Sequence, residues 1–277
     1  MKRLKRFLKS PKGTVATFAL AVVLLLLSSI GGTRAALTYF SETYASRVQM
    51  YNIGVRLMEK GHHDEKAKPV SWRDYSDSSN GTWSENTGAL LSGMLAKDEE
   101  LVVGKKYNEE LSVENTGDID QYVRVSIYKY WIDGDAKAAE GEEPPKLRNL
   151  DPGLIDLHLV NTNADGQNGD WLIDESASTR ERTVLYYSKV LPAGEVTPVF
   201  TDTLRINDMI ATKVTQEVSK NGNYTTIKTV YDYDGVKFCV EAKVDAVQDH
   251  NAEDAIWSAW GRRVTVGDDE DKTLSLN

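Results

Sequence analysis

The side chains best suited to hold a metal ion are His62, His63, Asp64 and Glu65, four consecutive imidazole and carboxylate groups. Adjacent side chains point apart in most backbones, and Lys60, Lys66 and Lys68 flank the run, so a solvated loop is the better expectation than zinc ligation. A second candidate is Asn161-Thr-Asn-Ala-Asp-Gly166, where Asn161, Asn163 and Asp165 supply oxygens at alternate positions and Gly166 stands at the sharp turn of a calcium loop. Leu172 stands where the bidentate glutamate of such a loop belongs, so an Asn/Asp/Gly connection between strands is the better expectation. Zn²⁺ and Ca²⁺ at these two places are the only cofactors the residues suggest. Asp133-Gly-Asp135 and Asp232-Tyr-Asp-Gly235 read as turns, and His158 and His250 are isolated.

Nucleophilic chemistry has less support. The sole cysteine, Cys239, lies in an alternating segment with Lys237, Glu241 and Lys243 on its own face, and reads as a packed small residue. A single cysteine also precludes an intrachain disulfide. No Gly-x-Ser-x-Gly elbow and no His-Glu-x-x-His helix occurs. Paired carboxylates of the glycosidase kind are not resolved by sequence, because acids are abundant and their separation in space is not encoded locally. Tyr128, Tyr130 and Trp131, with Tyr186 and Tyr187, offer rings for a sugar face, although such groups more often pack across strands. No catalytic or cofactor-binding residue is assigned, and the chain is not expected to be an enzyme.

The elements that must position these residues are strands. Period-two alternation marks Ile53–Leu57, Tyr107–Glu114, Gln121–Trp131, Leu154–Val160, Trp171–Ile173, Thr183–Val190, Val199–Ile206, Tyr224–Tyr231 and Gly235–Val247. Asn115-Thr-Gly-Asp118 predicts a hairpin or a bent connection with Gly117 at positive φ, and Asp232–Gly235 predicts a hairpin between its flanking strands. Helical signals are few: Asn251–Trp260, with Asn251 as cap and Ile256, Trp257 and Trp260 on one side, and more weakly Asp208–Gln216. Lys60–Gly88, Gly134–Arg148 and Asn161–Asp170 read as loops, and residues 267–277 as a mobile acidic tail. The fold expected over residues 36–266 is an all-β sandwich of jelly-roll or Greek-key kind with a few short helices.

Residues 1–35 carry a different signal. Lys2, Arg3, Lys5, Arg6, Lys9 and Lys12 precede the apolar run Val15–Ile30, and Thr33 and Ala35 suit the pockets of a signal peptidase. The expectation is an N-terminal signal helix cleaved at Ala35 or Ala36; a retained membrane anchor is the competing reading, because the run approaches the length of a spanning helix. Signal peptidase is thus an expected partner, and membrane contact is expected only through an uncleaved leader. Removing these residues takes the net charge from −9 to −16, which disfavours nucleic acid and anionic lipid as partners. No Leu-Pro-x-Thr-Gly sorting signal supports covalent attachment to a cell wall.

The order of several motifs resembles the TasA and camelysin family of exported Gram-positive proteins. Gly31-Gly-Thr-Arg-Ala-Ala-Leu-Thr-Tyr-Phe-Ser41 is similar to the family's leader end, and Met50–Leu57 to its first mature strand. Glu109–Ser126 is similar to its strand, Asn-x-Gly turn and return strand, and Val240–Trp260 to its closing strand with nearby tryptophan. The chain departs from the pattern at Leu95–Glu100, where an acidic Pro-Gly-Asp turn is usual, and carries Pro-Ala-Gly-Glu later, at Pro192–Glu195. The resemblance implies a secreted protein of the cell surface or extracellular matrix. It implies self-association, or association with related matrix subunits, into fibres. The stretch Leu37–Met50, with Leu37, Tyr39, Phe40 and Tyr44, would add as a strand to a neighbour. A camelysin-like metal-dependent protease and a wall- or carbohydrate-binding module are the alternatives.

Overall fold

The computed structural model describes residues 11–12, 14–15, 18–22, 52–74, 84–87, 90–135, 144–163, 169–221 and 224–277. Contacts divide the chain into residues 1–49 and 50–277. In the first unit the described positions are helical, with Val15, Phe18 and Leu20 exposed. Among the described residues no helix is long and apolar enough to cross a membrane. Ala35 and Ala36, and the assembly positions Leu37, Tyr39, Phe40 and Tyr44, lie outside the described residues.

The second unit is an all-β sandwich. Its first sheet contains β1 (Gly54–Gly61), β2 (Lys68–Asp74), β3 (Ser84–Thr87), β4 (Lys106–Asn115), β6 (Ile155–Leu159) and β9 (Thr201–Ile206) in the order β3-β2-β1-β4-β9-β6. The second contains β5 (Gln121–Asp133), β7 (Trp171–Ile173), β8 (Arg182–Tyr187) and β12 (Val236–Gln248) in the order β12-β5-β8-β7. All pairings between these strands are antiparallel. The alternating side chains meet between the sheets: Val55, Leu57, Leu111, Val113 and Leu204 from one, and Val123, Val125, Ile127, Trp171, Leu185 and Val244 from the other. Trp171 is the largest fully buried side chain among the described residues. It packs at 5.0 Å on the Phe200 ring and 5.4 Å on Tyr187, and its indole N–H donates to the Pro198 carbonyl at 3.0 Å.

The Asn-Thr-Gly segment is the bent connection rather than a hairpin, since β4 belongs to the first sheet and β5 to the second. Buried Asn115 fixes the crossing: its amide donates to the Ile119 and Leu191 carbonyls at 2.9 Å each, and its side-chain oxygen accepts from Gly117 N at 2.8 Å. Gly117 is required for space, not for positive φ, because a Cβ there would lie 2.5 Å from the Asn52 carbonyl oxygen.

Three other expectations change. The Lys60–Gly88 stretch contains two strands, β2 and β3; β2 has the polar sequence KPVSWRD, and a polar strand leaves no apolar alternation to read. The Tyr224–Tyr231 strand does not form a hairpin with the one that follows. As β11 it pairs with β10 (Val214–Asn221), while β12 is held by β5 over thirteen residues. The weaker helix prediction therefore fails beyond a short 3-10 turn, Asp208–Thr212, because the next residues are β10.

The C-terminal residues are not a loose tail. Leu274–Leu276 forms β14, pairing with β13 (Val264–Val266), and Leu274 is buried. With the helix Ala252–Trp260 these strands cover the outer face of the second sheet, where Tyr122, Val184, Tyr186 and Val247 pack against Ala252, Ile256, Val264 and Leu274. Asn251 precedes the helix in the left-handed region and its side chain makes no capping bond. Ile256 is buried as expected, and Trp260 packs on Tyr186, but Trp257 faces solvent beneath the Arg263 guanidinium.

Candidate functional site

The first metal candidate lies in the β1–β2 connection, and the fold spends its ligands on other partners. His63 Nε2 lies 2.8 Å from Glu99 Oε2, and Lys105 Nζ donates to Glu99 Oε1 at 2.8 Å. His62 Nδ1 accepts from Asn108 N at 3.3 Å, and its ring stands edge-on to those of His63 and Tyr107. Asp64 accepts from Lys68 Nζ at 2.9 Å and Gly61 N at 3.0 Å, and Lys68 is the main reason its carboxyl is held below the ordinary range. The hydrogen bond from Lys105, with help from Ala96 N–H and His63, holds Glu99 down to about 2. The cluster is a set of hydrogen bonds and ion pairs around the hairpin end.

A buried carboxyl pair that the sequence reading missed sits beneath this cluster. In β1 the inward positions are Val55, Leu57 and Glu59; in β4 they are Tyr107, Glu109, Leu111 and Val113. Glu59 and Glu109 are both 0% exposed. The Glu109 backbone lies at an irregularity in the β4–β9 ladder between Asn108 and Leu111, where the Thr201 hydroxyl accepts from Leu111 N at 3.0 Å and donates to the Glu109 carbonyl at 2.7 Å. Glu59 Oε1 accepts from Leu91 N, but no donor reaches Glu59 Oε2 or either Glu109 oxygen. A proton held by one carboxyl is the donor left for the other. Burial first, and then the hydrogen bond and charge of Glu59, push the Glu109 carboxyl up to about 9. With no solvent access the pair cannot meet a substrate. The signal for it was legible: a glutamate on the apolar side of each of two alternating strands.

The second metal candidate is divided. Asn163 Oδ1 accepts from Ile173 N at 2.9 Å, Asn161 Nδ2 donates to the Val199 carbonyl at 2.8 Å, and Asp165 lies outside the described residues. Asn161 adopts φ 54°, the conformation of a turn residue. Among the described residues no group of three or more His, Cys, Asp or Glu side chains is placed to hold a metal ion.

The aromatic candidates are mostly interior. Trp131, Tyr130, Tyr186 and Tyr187 are buried, the Tyr130 hydroxyl donates to Glu241, and Lys146 Nζ covers the Tyr130 ring at 3.7 Å. Cys239 is half-buried opposite Tyr130. A cleft of about 650 Å³ opens between Asn163, Ile173, Glu175, Ser176 and Leu276. Two of its charged groups pair: Arg262 Nε lies 2.7 Å from Asp174 Oδ2, and Asp174 Oδ1 accepts from Ser176 Oγ at 2.6 Å.

What the fold leaves open is sheet edge and exposed strand. Among the described strands β12 ends its sheet, with β5 as its neighbour. Among the described strands β10 and β11 pair with each other alone, and they expose Val218, Ile227 and Tyr231. No family model, no curated protein and no solved structure matches the chain.

Proposed function

We propose that this chain is an exported structural protein of the cell surface or extracellular matrix that works by associating with copies of itself or with related subunits. The observation that carries the reading is the place of β12, a thirteen-residue strand at the end of the second sheet whose sheet neighbour among the described strands is β5. An edge strand is where a further strand can add to a sheet, and main-chain hydrogen bonds of this kind give affinity with little demand on sequence. Leu37–Met50, freed by removal of the leader, is the segment assigned to that role, with Leu37 and Tyr39 filling pockets on alternate positions. The basic and then apolar N-terminus and the resemblance to TasA-like proteins support the same reading. Stability outside the cell would rest on the sandwich core, since one cysteine cannot form an intrachain bridge.

The test is to express the whole chain in a Gram-positive host, recover it from medium and surface, sequence its N-terminus, and examine it by size-exclusion chromatography and electron microscopy. A new N-terminus at Ala36 or Leu37 with concentration-dependent oligomers or filaments is the expected result. Retention in the cell, or a monomer at every concentration, overturns the reading.

A further inference from the structure

The β10–β11 ribbon stands apart from both sheets. Its register sets Val214 opposite Tyr231, Gln216 opposite Thr229 and Val218 opposite Ile227, so these six residues share one face. Val218, Ile227 and Tyr231 are each more than half exposed on it. An apolar stripe on a two-stranded ribbon is an uncommon use of hydrophobic surface, because such a ribbon is marginal alone and gains nothing from side chains left in water. The ribbon also differs in charge from the rest of the chain: residues 213–231 hold Lys213, Lys220 and Lys228 against Glu217, while the whole chain is −9.

The complementary surface lies at the opposite end of the same molecule. β12 starts at Val236, just after the ribbon, where Tyr233 packs on Trp131 at 4.9 Å and the Tyr233 hydroxyl accepts from Asp151 N. It ends at Gln248, about 40 Å away at the rise of an extended strand. Beyond that end come the helix Ala252–Trp260 and the β13–β14 turn. There Asp268, Asp269, Glu270 and Asp271 are exposed in sequence, and Trp257 is exposed on the helix.

Resting on the self-association read above, we infer that the ribbon of one copy docks on the acidic C-terminal layer of a second copy. The apolar face of Val214, Val218, Ile227 and Tyr231 supplies the buried area. Lys213 and Lys228 meet the acids of the β13–β14 turn and bias the ribbon towards that end. Because the donor and receiver surfaces differ and sit at opposite ends, the contact is heterologous and repeats head to tail, giving open chains and not closed dimers.

The experiment uses the protein recovered from the expressing host, with sedimentation velocity and electron microscopy over a concentration series at low and high salt. Val218→Thr with Ile227→Thr, and separately Lys213→Glu with Lys228→Glu, should raise the concentration needed for oligomers by roughly tenfold or more while leaving the circular dichroism spectrum and Tm unchanged. Asp268→Lys with Glu270→Lys should weaken association alike, and should restore it when combined with the lysine reversals. Assembly of the ribbon variants at the parental concentration overturns the ribbon contact while the matrix reading survives. A parent that stays monomeric overturns both. Loss in the ribbon variants without rescue by the paired reversals, or an assembly that stops at a dimer, overturns the acidic receiver and the head-to-tail mode.

Discussion

β12 and the β10–β11 ribbon are neighbours in sequence and alike in pattern, yet their apolar faces meet opposite fates. Along β12 the alternate side chains Ala242, Val244 and Ala246 close the main core, and the next strand over, β5, holds every one of its thirteen positions. Along the ribbon the alternate side chains Val214, Val218 and Ile227 face solvent. Alternation therefore specifies a strand with two unlike faces, but it does not say that a second layer exists to cover either of them. What covers the core face of β12 is contributed by strands more than a hundred residues away, whereas nothing among the described residues covers the apolar face of the ribbon.

The largest effect should come from the interior side of this contrast. Trp171→Ala removes the side chain wedged between Phe200 and Tyr187 and orphans the Pro198 carbonyl. It should cost about 3–5 kcal/mol in denaturant unfolding; a loss of the size seen at exposed positions would mean that the two sheets do not share one core. Next comes Leu274→Ala. A loose tail would tolerate it, but the buried leucine beneath the C-terminal helix predicts a loss of about 2–4 kcal/mol, and unchanged stability would remove the outer layer from the fold.

Glu109→Gln tests the buried pair and has the opposite sign. The folded carboxyl keeps its proton up to about pH 9, whereas the unfolded one loses it near the ordinary glutamate value, 4.5. The folded state thus binds more protons between those limits, and the stability present in acid is lost as pH rises through the window. The parent should unfold more easily at pH 8 than at pH 5. The variant should flatten that slope and gain roughly 1–3 kcal/mol at pH 8, measured as Tm against pH; an unaltered slope would place the titration elsewhere. The smallest effect belongs to the ribbon: Ile227→Ala should change stability by less than about 0.5 kcal/mol. A larger loss by urea unfolding of the dilute protein would show that the stripe is covered within its own molecule.

The sequence by itself determined the strands that bury an apolar face, the helix before Trp260, the Asn-Thr-Gly turn as a structural point and the acidic balance of the chain, since each is written in local spacing or composition. It also held the Glu59–Glu109 pair in plain view, as glutamates at inward positions, but not the fact that their strands lie side by side. Tertiary structure alone decided that β4 and β5 part into different sheets, that β11 turns back on β10, and that polar β2 extends a sheet. It decided too that the final residues return as a strand to cover Tyr122 and Tyr186. Those outcomes depend on which distant strand offers the longer register and the deeper burial, and a window of neighbouring residues carries neither quantity. The histidines show the same division, because a ligand set can be named from types and spacing, while Asn108 and Glu99 reach His62 and His63 only once the chain has folded.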